Sequence, residues 1–172
     1  TRVSEIAEFR SMAVVGDERA LTQIKAIDDA YPLVGTVALS PDMPLTQALA
    51  TTDGIAGAVM ERALSDRLGL SPGDTFQLGS KTYRFSALLI REPDSAASGF
   101  ALGPRTLLYR DALDGAGLLA SGTLFNSKYR LDLPPGTDLD QLQAAAEDRF
   151  ADAGMRWTDA RNGAPGVARV VE

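Results

Sequence analysis

Carboxylates are the side chains in this sequence whose types and spacing could do chemistry. Asp28 and Asp29 are adjacent, and Glu61 and Asp74 lie farther along. Two such groups converging in one cleft could bind Mg2+ or run a general acid–base step, given at least one displaced pKa. The opposing reading is structural. Asp28 and Asp29 fall where an apolar run ends, and short acidic side chains at such a place accept from local backbone N–H groups. Ser95 and Ser98 would be nucleophiles only with a base beside them. The 172 residues include no His and no Cys. That removes Ser-His-Asp and Cys-His activation and the usual His or Cys metal sites. Gly115 and Gly117 look like a fragment of a phosphate loop, but no Lys-Ser/Thr follows, so they read as turns. No cofactor and no metal is expected, and the catalytic reading rests on carboxylates alone.

Recognition is the other chemistry on offer. Phe100 and Leu102 lie in a Gly/Pro-framed stretch, Gly99–Pro104. Such an apolar pair is either tucked into the core or offered to a partner, and loops on rigid scaffolds often carry recognition. The net charge is −6 and the pI about 4.7. That argues against nucleic acid, whose binding rests on Lys and Arg neutralising phosphates. It also supplies no basic patch for anionic lipid heads. A content of 45% hydrophobic and 23% charged residues suits a globular chain able to bury a core, as one domain or two small lobes. No run approaches the roughly 18–20 apolar residues of a membrane helix, and no signal peptide opens the chain. The start on strand-like sequence is expected of a piece cut from something longer or, equally, of a processed terminus, and a helix launched near Pro165 and stopped by Glu172 suggests a boundary inside a longer chain.

The elements that would position these residues read as follows. Phe9, Met12, Val14 and Val15 make a first strand, Gly16–Arg19 a turn, and Leu21, Ile24 and Ile27 a second strand. Asp28–Pro32 breaks that ladder because Pro cannot donate. A short strand follows over 33–39, then a loop over 40–53. Val59 and Met60 end a strand, and Arg62–Leu68 forms a helix closed by Gly69, with Leu70 folding back on Leu64. The stretch LGLSPGDTFQLG (68–79) reads as a helix-turn-strand device of a kind found in many small β-barrels. Thr75–Ile90 is the best hairpin, with Tyr83, Phe85, Ala87 and Leu89 on one face. Thr106–Leu113 fits a strand or a helical turn. A strand over Leu124–Leu133, a helix over Thr137–Ala153 and a strand over Met155–Thr158 make the last third β-α-β. In that helix Thr137 and Asp140 form a capping-box-like pair, and Leu139, Leu142, Ala146 and Phe150 form the apolar stripe. Asp159–Gly166 is a linker.

Several of these stretches together resemble the extracytoplasmic domain of FtsX/MacB-like ABC-transporter permeases, and within them the YbbP-like branch. They are EFRSMAVVGDERALTQIKAIDDAYPLVG (8–35), VMERALSDRLGLSPGDTFQLG (59–79), YRFSALLIREPD (83–94), GFALGPRTLL (99–108) and RNGAPG (161–166). The resemblance implies an α+β, two-lobed domain on the periplasmic side of a bacterial inner-membrane protein, between the first two membrane helices. One lobe, porter-like and discontinuous, would hold residues 1–40 and 123–172. The other, a β-rich insertion, would hold 41–122. Family members usually carry a further strand and helix before the EFRSM-like strand, and RNGAPG would lead toward the second membrane helix. The implied role is non-catalytic. A separate ATP-binding subunit would drive the membrane helices, and this domain would handle a hydrophobic cargo such as a lipid or lipoprotein, or a periplasmic partner protein, with two copies in the intact transporter. The alternatives are a soluble carboxylate-dependent hydrolase and a free-standing ligand-binding domain.

Overall fold

Alternation along the first 27 residues builds a long antiparallel hairpin. In the computed structural model, which describes residues 1–93, 103–119, 122–159 and 161, β1 runs Arg2–Val15 and β2 runs Glu18–Ile27. Their register pairs Ile6 with Ile27 and Val15 with Glu18. β1 therefore begins seven residues before the expected Phe9. The pleat also sorts the expected apolar positions differently. Phe9, Ala13, Ala20, Ile24 and Ala26 are buried, while Met12 and Leu21, cross-strand partners, face outward.

The remaining strands are β3 (Ala38–Ser40), β4 (Ala56–Met60), β5 (Thr75–Leu78), β6 (Lys81–Arg91), β7 (Arg105–Tyr109) and β8 (Asn126–Asp132). Pairing runs β1 to β2, β2 to β7, β7 to β4, β4 to β6, β6 to β5, and β5 back to β1, so six strands close a ring. Closure removes the open edges that a flat sheet would leave. β3 pairs the far end of β6, and β8 pairs the first half of β1.

A narrow ring needs small residues beside large ones. The first core cluster supplies both: Ala7, Ala13, Ala20, Ala26, Ala56 and Ala58 among Phe9, Ile24, Met60, Phe76, Tyr83 and Phe85. Leu64 and Leu68 of the helix α2 (Arg62–Leu68) join it. As expected, Gly69 ends α2 in the left-handed region, with φ 65°, and Leu70 N donates to Ser65 O.

A second cluster lies on the outer wall. Ile6, Ile27, Val59, Ala87, Leu89 and Leu107 are covered by Tyr31, Leu39, Ala48 and Leu49. The last two belong to a short helix, α1 (Leu45–Leu49), in a stretch expected to be loop. α1 lies so close to the wall that a Cβ on Gly57 would sit 2.0 Å from Ala48 O. The two clusters also explain why the expected face of β6 is split. The β4–β6 register shifts between Ala58 and Val59, so Ser86 is bulged and the alternation is displaced. Tyr83, Phe85 and Leu88 point into the ring, whereas Ala87 and Leu89 join the outer cluster.

Other expectations are corrected locally. The strand expected over 33–39 shrinks to β3. Thr106–Leu113 turns out to be both things, strand β7 followed by a 3-10 turn over Arg110–Leu113. Helix α3 (Leu139–Arg149) is capped by Asp138, whose Oδ1 accepts from Asp140 N and Gln141 N; the Thr137 hydroxyl donates instead to Pro134 O. No strand forms over 155–158, because nothing among the described residues pairs with it.

The chain divides into two compact units, Thr1–Asp132 and Leu133–Glu172. The first carries the whole sheet and both core clusters. The second carries α3, which has no buried residue, and an ion network in which Arg161 bridges Asp140 and Asp159 while Trp157 Nε1 donates to Asp159.

Candidate interaction surface and its buried anchor

Phe100 and Leu102, the expected partner surface, lie outside the described residues, as do Ser95, Ser98 and most of the RNGAPG stretch. The described residues on either side of 94–102 are tied to the barrel wall by charge. Glu92, at the end of β6, is buried. Its Oε2 accepts from Lys25 Nζ at 2.6 Å and from Tyr31 OH at 3.1 Å, and its Oε1 accepts from Arg105 Nη1. Lys25 Nζ also donates to Tyr31 OH at 3.0 Å. The side chains of Lys25, Glu92 and Arg105 are 3%, 2% and 10% exposed. Three charges in a dry site stay there only when paired and hydrogen-bonded. The cluster joins β2, the 28–37 connection, the end of β6 and the start of β7. Arg105 is fixed a second time, by its backbone: its N–H donates to Glu61 Oε2 at 2.9 Å, and Glu61 N donates back to Arg105 O.

Sequence reasoning missed this anchor. The hairpin expected over Thr75–Ile90 ends two residues short of Glu92. The available signal was Lys25, a cation inside the apolar run Ile24–Ile27 that faces the covered outer wall and therefore needs a buried counter-charge.

The four carboxylates weighed for catalysis do not form an acid–base pair. Asp28 Oδ1 accepts from Ser4 Oγ at 2.7 Å and Oδ2 from Glu5 N at 2.6 Å. Glu61 holds Arg105, and Asp74 Oδ2 accepts from Ser71 N in the turn before β5. Asp29 is exposed. Each paired oxygen serves a backbone N–H or a hydroxyl, but only Asp74 does so locally; Asp28 and Glu61 bind residues of other strands, 23 to 44 positions away. Asp28 and Asp29 do line an open cleft of about 750 Å3, together with Ile27, Leu49 and Arg110. Arg110 is spent on Glu5, which also accepts from Tyr129 OH. Among the described residues no group of three or more His, Cys, Asp or Glu could hold a metal ion. No helix among them is long and apolar enough to cross a membrane.

No family model matches the chain. Over 129 residues it is 29% identical to the uncharacterized ABC transporter permease YbbP of Escherichia coli K12, a match that takes in 75% of this chain and 15% of that protein. The chain thus spans less than a sixth of the relative's length. Among solved structures, it resembles the periplasmic region of MacB from Actinobacillus actinomycetemcomitans, with a TM-score of 0.56 and 11% identity, over 89% of this chain and 67% of that one. It also resembles the extracellular domain of the noncanonic ABC-type transporter YknZ from Gram-positive bacteria (TM-score 0.53, 12% identity, 91% of this chain and 78% of that one). A domain of a putative permease from Porphyromonas gingivalis gives a TM-score of 0.53 at 12% identity, over 88% of this chain and 70% of that one. By sequence the chain is similar to a region of the YbbP permease, and its fold is similar to that of the MacB periplasmic region and the YknZ extracellular domain.

Proposed function

We propose that this chain is the non-catalytic extracytoplasmic part of an ABC-transporter permease. In it, ATP-driven motion of the membrane helices alters the grip of the domain on a hydrophobic cargo, such as a lipid or lipoprotein, or on a periplasmic partner protein. The observation that carries this reading is the 129-residue match to a permease, set on a fold shared with the MacB periplasmic region and the YknZ extracellular domain. ATP hydrolysis would belong to a separate subunit, and two permease copies would meet in the intact transporter. The two-lobed plan, with residues 1–40 and 123–172 in a porter-like lobe and 41–122 in a β-rich insertion, belongs to the same proposal.

The partner surface at Phe100 and Leu102 belongs to the same proposal. Phe100→Asp should leave the melting temperature nearly unchanged if the side chain faces a partner. A loss of several degrees would place it in the core.

The coupling itself can be measured directly. The chain has no cysteine, so Asp17→Cys, in the exposed β1–β2 turn, gives a unique spin-label site in a full-length permease freed of other cysteines. Label-to-label distances across the transporter should change between the ATP-bound and nucleotide-free states. Identical distances in every nucleotide state would contradict the coupling role.

A further inference from the structure

The open cleft beside Asp28 and Asp29 lies within one compact unit, since all its lining residues belong to Thr1–Asp132. Four carboxylates line it, Glu5, Asp28, Asp29 and Asp111, against two cations, Lys81 and Arg110. Both cations are committed. Arg110 is paired with Glu5, and Lys81 Nζ donates to Ala112 O at 3.0 Å and to Asp114 O at 2.9 Å. Asp29 and Asp111 are exposed, and among the described residues neither carboxylate has a hydrogen-bond or ion-pair partner. The charge of Asp29 acts on another lining residue: burial and then Asp29 raise the Tyr109 hydroxyl above its usual value. The lining also holds apolar surface, from the core side chains Ile27 and Leu49 and from the half-buried Tyr109.

A surface both negative and apolar selects its occupant by chemistry. A bare metal ion does not suit it, because among the described residues no group of three or more His, Cys, Asp or Glu could hold one. A phospholipid head would bring its phosphate against the carboxylates. A lysine or arginine side chain suits both parts of the lining. Its stem lies on apolar surface, its head meets a carboxylate, and a cation over the Tyr109 ring gains further. The cleft volume of about 750 Å3 is ordinary for a ligand site.

We propose that this cleft docks a basic, partly apolar peptide segment of a partner protein, with Asp29 and Asp111 meeting its lysine or arginine heads. The partner's place on the periplasmic side rests on the permease reading above; the binding itself does not.

Fluorescence anisotropy on the 172-residue chain tests this, with a fluorescein-labelled hexapeptide of alternating lysine and leucine as the probe. The probe should bind saturably. The double variant Asp29→Asn, Asp111→Asn should weaken binding ~10-fold, as expected for two partly solvated ion pairs. Its melting temperature should stay within about two degrees, since both side chains are exposed and without partners. The double variant Asp17→Asn, Glu18→Gln removes the same charge from the opposite end of the β1–β2 hairpin from Glu5 and Ile27. It should leave the affinity within about twofold. Equal weakening by both double variants would overturn the proposal, because the attraction would then come from the net charge of −6. So would the absence of saturable binding, or equal binding of a glutamate–leucine hexapeptide. Displacement of the probe by phosphatidylethanolamine vesicles would overturn it as well, by making the occupant a lipid head. None of these outcomes touches the permease reading, which the complete reading frame tests.

Discussion

Removing the buried carboxylate of Glu92 should be among the most damaging conservative changes in the protein. Glu92→Gln keeps the shape and one carbonyl oxygen but deletes the negative charge that Lys25 and Arg105 share. Both cations would remain in a site where their side chains are 3% and 10% exposed. Breaking a buried pair by removing one member costs about 3–5 kcal/mol. Here one deletion takes the carboxylate away from two buried cations, so the expected loss lies toward the upper end, ~5 kcal/mol. With a urea m-value of about 2 kcal/mol/M, the unfolding midpoint should fall by about 2.5 M at unchanged slope. The thermal midpoint should fall by ~10–20 °C. Replacing all three charges together, as Lys25→Met, Glu92→Leu and Arg105→Met, should recover most of that loss, because an apolar set of similar volume escapes the desolvation cost. A Glu92→Gln loss below about 1 kcal/mol, the range of exposed ion pairs, would refute the reasoning, since the cluster would then have to be solvated.

Three further outcomes follow from particular contacts. Gly57→Ala should cost about 1–3 kcal/mol or more in urea unfolding, since the new methyl would sit 2.0 Å from the backbone oxygen of Ala48 and α1 would have to lift off the wall. Burial pushes the Tyr83 hydroxyl up to about 12 from its usual 10.0. The folded protein therefore holds this proton more tightly than the unfolded chain does. The contribution of Tyr83 is complete below pH 10 and is lost as pH rises from 10 through 12. Tyr83→Phe should flatten that alkaline decline while losing about 1 kcal/mol at neutral pH with the hydrogen bond to Ala112 O. Some slope should persist, because burial and then Asp29 also raise Tyr109. Asp138→Ala should speed exchange of the first α3 amides, as two N–H groups lose their acceptor, at a local cost of about 1 kcal/mol.

The parts of this fold that were legible in the sequence are those governed by local rules. The β1–β2 hairpin, α2 with its Gly69 terminus, and the β5–β6 hairpin all follow from period, turn residues and capping. What stayed hidden depends on distant partners. The sequence does not show that β2 pairs β7 in parallel across about 80 residues, and so it does not show that the ring closes. The bulge at Ser86 is invisible for the same reason: Tyr83, Phe85, Ala87 and Leu89 alternate perfectly on paper, and only the β4 register splits them between two cores. At the candidate site, the loss of catalytic promise was foreseeable, since an Asp pair at a strand end usually serves the backbone. The anchor at Glu92 was not found, because its partners lie 67 and 13 residues away. Met155–Thr158 has strand-like sequence yet forms no strand, which shows that propensity without a neighbouring strand does not make a sheet.

The central claim is that the chain is a domain held outside the membrane by the helices of a permease. The complete reading frame around residues 1–172 tests it most directly. The account predicts apolar stretches of roughly 20 residues on both sides, long enough to cross a bilayer. A secretion signal just before Thr1 and a stop codon shortly after Glu172 would contradict it, and would make the chain a free-standing exported protein.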